Sequence, residues 1–143
     1  MELPILNADV IKRLLPHREP IIMVDALHDF DDKLSRAGLN ILKENIFVKD
    51  KVFSETGLIE HMAQTAALHM GYHFFLEGLP PREGYITSIR NLHIHDLPKE
   101  GDILFTELEV LYADNNMSKV KLVTKLNGKA LANSEMNVIL KSH

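Results

Sequence analysis

The chain has 143 residues, of which 45% are hydrophobic and 25% charged, with a formal net charge of -4 and no cysteine. That length suits one ordinary domain, with enough core to fold without staples. The mild acidity argues against nucleic-acid binding, and the lack of Cys excludes disulfides, zinc fingers, iron–sulfur clusters and thiol nucleophiles.

The N-terminus, MELPILNADVIKRLL, lacks the basic segment and apolar stretch of a signal peptide, so a cytoplasmic location is expected. Asn7 is a good N-cap for a short helix through Val10, Ile11 and Leu14, which Pro16 ends. A strand is expected over Pro20-Ile-Ile-Met-Val-Asp-Ala-Leu27, then a turn at 29–33 and a return strand over 34–42. Residues 43–53 show no period.

From Gly57 to Glu77 the apolar residues Leu58, Ile59, Met62, Ala63, Ala66, Ala67, Met70 and Phe74 recur at helical spacing on more than one face. This predicts a long buried helix, with Gly78 as C-cap and Pro80-Pro81 as a stop. The longest nearly uncharged apolar stretch, from about His61 to Leu76, is too short to span a bilayer and carries three His, so no membrane insertion is expected. After Gly84 everything reads as strand: 84–95, 102–114, 117–126 and 130–141. Asn127-Gly128 is a strong hairpin turn. A helix apolar over so much of its circumference must be covered, and a strongly curved antiparallel sheet is the available cover. The expected fold is therefore α+β: a single hot-dog domain over 1–143, its long central helix wrapped by a curved antiparallel β-sheet. An edge strand of that sheet predicts dimerisation.

Two stretches carry a family resemblance. Leu15-Pro16-His17-Arg18-Glu19-Pro20-Ile21-Ile22-Met23-Val24-Asp25 resembles the LPHRxPxLxVD signature of the beta-hydroxyacyl-ACP dehydratases. Gly57-Leu58-Ile59-Glu60-His61-Met62-Ala63-Gln64-Thr65-Ala66 is similar to their central-helix pattern GxLxxEAMAQxA, with Gly57 two residues nearer to Glu60 than the pattern's Gly is to its Glu. Glu100-Gly101-Asp102-Ile103-Leu104 is placed like their PGDxL. One departure stands out. Where the family has GHFPGxPxxPG with a catalytic His, this chain has residues 47–57, which contain no His. That departure resembles the divergent branch of aryl-polyene and flexirubin pigment clusters, some of whose members pair with a His-bearing hot-dog protein.

The resemblance implies a dehydratase-like protein acting on 3-hydroxyacyl thioesters carried by an acyl carrier protein, in fatty-acid or polyene-type biosynthesis. It implies a homodimer, or a heterodimer with another hot-dog protein. Such a reaction needs a base for the alpha proton, an acid for the leaving hydroxyl and a donor for the enolate oxygen. Unpaired amides at a helix start can serve as that donor, and the resemblance assigns Gly57 to the thioester carbonyl. Glu60 lies one turn into an apolar helix. A carboxylate there is costly unless paired or protonated, the condition that a general acid or base needs near neutral pH. Gln64, at i+4, shares its face and can hydrogen-bond it. Glu60 and Gln64 are thus the expected catalytic residues.

His61 points about 100° away around the helix and is expected to serve another face. Asp50 and Glu55, in the segment replacing the His motif, are lesser candidates. His17 and Arg18 are read as fixing the chain between helix and strand. His69/His73 and His93/His95 each offer two metal ligands but no third, so no metal is expected, and no cofactor motif is present. Arg82, Arg90 and Lys99 can form a basic patch for an acidic carrier protein. The alternative functions are a thioesterase, or a non-catalytic subunit lending Glu60 to a His-bearing partner.

Overall fold

The computed structural model describes residues 2–141. Helix α1, Ala8–Arg13, starts where Asn7 caps it. The Asn7 side-chain oxygen accepts the Asp9 N–H at 2.8 Å and the Val10 N–H at 3.4 Å, donors that a helix start leaves free. The strand expected from Pro20 begins later, as β1, Ala26–Phe30. Upstream of Asp25, whose N–H still donates to the Gly38 carbonyl, part of the backbone bonds a helix side chain. The Met23 N–H donates to Gln64 Oε1 at 2.6 Å, and the Ile21 carbonyl accepts from Gln64 Nε2 at 2.8 Å. Strand β2, Leu34–Asn40, returns along β1. The aperiodic 43–53 segment holds two short strands, β3 (Val48–Lys49) and β4 (Val52–Phe53), which turn through Asp50 and Lys51 at φ 51° and 70°.

Helix α2, Glu55–Leu76, begins two residues before the expected Gly57 because Ser54 is its cap. It ends at Glu77, with Gly78 just beyond at φ 74°, where a residue without Cβ is favoured. Its 22 residues run about 33 Å. Four long strands follow: β5 (Gly84–Ile94), β6 (Ile103–Ala113), β7 (Met117–Leu126) and β8 (Lys129–Leu140). The six-stranded sheet is antiparallel in the order β1-β2-β6-β7-β8-β5. The β7–β8 turn places Asn127 and Gly128 at φ 51° and 80°, as a two-residue hairpin of this hand requires. The result is the hot-dog arrangement.

The sheet packs Leu104, Leu108, Leu122 and Met136 against Leu58, Met62 and Ala66 of α2. It is not the only cover. The far side of α2, with Leu68 and Tyr72, packs against Ile11, Leu14, Leu15 and Leu27 from the N-terminal region and β1. That region matters for the site, because it lies directly on α2 at Gly71. A Cβ on Gly71 would sit 1.9 Å from the Leu14 carbonyl oxygen and 2.9 Å from its carbon. Gly71→Ala therefore lifts the N-terminal segment off the helix. Ala normally gains about 1 kcal/mol over Gly inside a helix, but a backbone clash of this kind outweighs it. We expect a net loss of roughly 1–3 kcal/mol, read as a lower denaturant midpoint.

The two sheet edges differ. Outside β1, Ile5 exchanges backbone hydrogen bonds with Leu27 at 2.8 and 2.9 Å. The outer side of β5 has no strand neighbour among the described residues, and its Tyr85, Ile86 and Ile89 are exposed. Among the described residues, no helix is long and apolar enough to cross a membrane.

Candidate active site

Glu60 is half-buried on the second turn of α2. Gln64, one turn on, is fully buried and all its polar capacity is directed. Its Nε2 donates to Glu60 Oε2 and to the Ile21 carbonyl, both at 2.8 Å, while its Oε1 accepts the Met23 N–H. The amide is thus locked from two sides and presents one N–H to the carboxylate. The expected Glu60–Gln64 pair is present, with a second task that periodicity does not reveal: Gln64 also anchors the extended segment before β1.

Glu60 lines a cavity of about 420 Å³. Along α2 the wall continues through Ala63, Ala67 and Met70, small or flexible side chains on one helix face. Tyr85 and Ile86 of the uncovered strand β5 form another wall, and Pro16-His17 a third. The cavity therefore runs from a hydrogen-bonded carboxylate along an apolar helix face, against a sheet edge that has no strand neighbour among the described residues.

His61 serves another face, as its position on the helix predicts. It is fully buried, with Nδ1 2.7 Å from the Met23 carbonyl and Nε2 2.7 Å from Thr106 Oγ1. A carbonyl only accepts, so Nδ1 carries the proton and Nε2 accepts the Thr106 hydroxyl. Thr106 Oγ1 in turn lies 2.7 Å from Thr124 Oγ1. This chain of bonds ties α2 to β6 and β7. Burial pushes the His61 imidazole down to about 4, and His69, buried beside Ser35 and Phe30, is pushed down to about 4 by the same cause.

These two residues set an acid limit on stability. An unfolded His titrates near 6.5, so between about pH 6.5 and 4 the unfolded chain binds more protons than the native one. Stability is therefore full above pH 6.5 and falls as pH drops through that window. The loss is roughly 3 kcal/mol for each buried imidazole at its acid end. Asp25 works in the opposite sense, because burial raises its carboxyl. We expect the melting temperature to fall between pH 7 and pH 4.5. An unchanged value would show that the two imidazoles carry no such linkage.

The Gly57 amide donates to Ser54 Oγ at 3.2 Å, and the residue is buried against Phe47 and Phe53. Asp50 lies in the β3–β4 turn and Glu55 is the exposed first residue of α2, and neither lines the Glu60 cavity. His73 lies 3.0 Å from Glu77 and 3.8 Å from Asp32, and the exposed His93 and His95 rings stack at 6.4 Å. Among the described residues, no group of three or more His, Cys, Asp or Glu is arranged to hold a metal ion. Arg82 Nε and Nη2 donate to the Lys141 carbonyl at 3.0 and 2.8 Å. Arg18 Nη1 donates to the carbonyls of Lys12, Leu15 and His17, which fixes the loop after α1.

His17 is the residue whose position sequence reasoning did not foresee. It lies far from Glu60 in the chain, and no periodicity links them. The one signal is Gly71, a glycine inside the long helix, which marks where a second backbone passes close.

Comparisons with known proteins bear on the family and the fold. Residues 10–142 match the family model described as ApeP-like, ApeP dehydratase. The chain is similar to the 3-hydroxyacyl-[acyl-carrier-protein] dehydratase FabZ of Caldicellulosiruptor bescii, 24% identical over 94% of this chain and 99% of that protein. It is also similar to that of Pseudothermotoga lettingae, 28% identical over 93% of this chain and 95% of that protein. A chain of the dehydratase heterocomplex ApeI:P from Xenorhabdus doucetiae superposes with a TM-score of 0.88 at 17% identity, over 99% of this chain and 93% of that one. A hypothetical thioesterase with coenzyme A from Streptococcus pneumoniae superposes at 0.64 and 9% identity, over 82% and 85%. The hot-dog fold is common to both.

Proposed function

The chain belongs to the ApeP-like dehydratase family, and from that premise we propose that it takes part in dehydrating 3-hydroxyacyl thioesters borne on an acyl carrier protein, in fatty-acid or polyene-type synthesis in the cytoplasm. One observation carries the reading. The Glu60 carboxylate, held by Gln64, lines a cavity walled by the uncovered edge strand β5. A partner pairing along β5 would set its own residues beside Glu60.

In this reading the apolar helix face of Ala63, Ala67 and Met70 takes the acyl chain. Glu60 moves a proton at the reacting carbons, and Gln64 fixes its orientation. Gly57 lies outside the lining of the Glu60 cavity and its amide is capped by Ser54, so it takes the thioester oxygen only once that bond is exchanged and substrate extends to the start of α2. Its bond to Ser54 is at the long end of the normal range and can be exchanged. The partner is a second copy or, to complete the acid–base pair, a His-bearing hot-dog protein. The ApeI:P heterocomplex is a precedent for a dehydratase built from two different chains.

The test is direct. The purified chain, alone and mixed with a His-bearing hot-dog protein, is given a 3-hydroxyacyl carrier protein and an acyl-CoA. The proposal expects enoyl thioester from the mixture. Release of free acid instead would assign a thioesterase, and no product of either kind would leave a non-catalytic subunit.

A further inference from the structure

We infer that His17 is a second catalytic residue of the Glu60 cavity, so that one chain carries its own acid–base pair although the family's His motif is gone. This rests on the dehydratase reading above and names a residue which that reading does not use.

Three observations point to it. His17 and Glu60 line the same cavity, from two different elements. His17 Nδ1 is buried and has no hydrogen-bond partner. Buried polar nitrogens are nearly always paired, so this unpaired nitrogen on a ring that lines the cavity marks a side chain whose partner is not supplied by the chain itself. Third, the backbone that carries the ring is fixed by two independent devices. Arg18 Nη1 binds the His17 carbonyl and the end of α1, and the Leu14 backbone seats against Gly71. A side chain kept only to fill space would need neither an unpaired nitrogen nor a shared cavity with a carboxylate.

The electrostatics agree. Burial holds the His17 imidazole below its ordinary value, and the Glu60 charge partly opposes that. The ring is therefore neutral at pH 7 and can accept a proton. The other charged side chains lining the cavity are Arg82 and Glu83, ahead of β5, and Tyr85 is the remaining titratable one.

In the step we assign, the His17–Glu60 pair enters holding one proton, which sits on the Glu60 carboxyl once substrate is bound, and neutral His17 takes the proton from C2 of the 3-hydroxyacyl thioester. The C2–H electron pair becomes the C2=C3 bond. The C3–O bond breaks, and the departing hydroxyl takes the proton of the Glu60 carboxyl and leaves as water. Transfer of the proton from the His17 imidazolium to the Glu60 carboxylate restores both groups.

The test uses the full chain alone and mixed with a His-bearing hot-dog protein, each with 3-hydroxyacyl carrier protein. The lone wild-type chain should form enoyl product slowly. His17→Gln, which is neutral at every pH, should lower its kcat about 10²–10⁴-fold with little change in KM, and should abolish the acidic limb of the pH profile below 6.5. A melting temperature for each variant controls for folding. Independently, the NMR titration of His17 should move to lower pH in Glu60→Gln, because an attracting charge is gone. A kcat for His17→Gln equal to the wild type overturns the inference. So does a silent lone chain beside an active mixture, and that result leaves the dehydratase reading standing. If neither the lone chain nor any mixture dehydrates, both fail together.

Discussion

Glu60→Gln should remove dehydration while the protein stays folded. The substitution keeps the side-chain length and shape. The new amide oxygen can still accept the Gln64 Nε2–H that Glu60 Oε2 accepts at 2.8 Å, so Gln64 keeps its grip on Ile21 and Met23. Only the half-buried carboxylate is altered, and no buried group loses a partner. The stability change should then stay within about 0.5 kcal/mol. The chemistry loses a group that must carry a proton, which an amide cannot do, and the rate should fall about 10²–10⁴-fold or below detection. Product formation and thermal unfolding, measured on the same preparation, check both halves. Full turnover by a folded Glu60→Gln protein would take Glu60 out of the mechanism.

Much of this arrangement is legible in the sequence wherever a local rule governs it. The central helix is marked by its apolar recurrence, the β7–β8 hairpin by Asn127-Gly128, and the Glu60–Gln64 pair by simple i, i+4 spacing. What is not legible depends on distant parts of the chain. The segment 20–25 has the composition of a strand, yet Ile21 and Met23 spend backbone groups on Gln64 and His61 of the helix, so β1 starts only at Ala26. The β3–β4 hairpin turns through Asp50-Lys51, a pair without the usual turn glycine. The helix begins at Glu55 because the Ser54 side chain caps it, a start signal outweighed in the sequence by Gly57. The second face of α2 is covered by the N-terminal segment and not by the sheet alone. That packing brings His17 to the cavity that Glu60 lines.

The same packing sets what the lone chain can and cannot do, and leads to the second large effect. Residues 47–57 contain no His, and neither Asp50 nor Glu55 lines the cavity. The lone chain then has Glu60 and the partly buried His17, an imidazole whose basicity is already weakened by burial. A partner docked along β5 would add a further positioned imidazole beside the same carboxylate. An edge strand of 11 residues with exposed Tyr85, Ile86 and Ile89 is long and apolar enough to demand such cover. We therefore expect a dimer by light scattering at micromolar concentration. We also expect a mixed dimer with a His-bearing hot-dog protein to dehydrate 3-hydroxyacyl carrier protein about 10²–10⁴ times faster than this chain alone. Glu60→Gln in this chain should suppress that gain, because the partner's His needs the opposing acid. A substitution that breaks the β5 edge, Ile89→Pro, should abolish the gain by preventing docking, since proline removes a ladder donor. A lone chain as fast as the mixture would show that the partner's His is not needed. A monomer that never pairs would show that β5 is covered by nothing and that the site is complete in one chain.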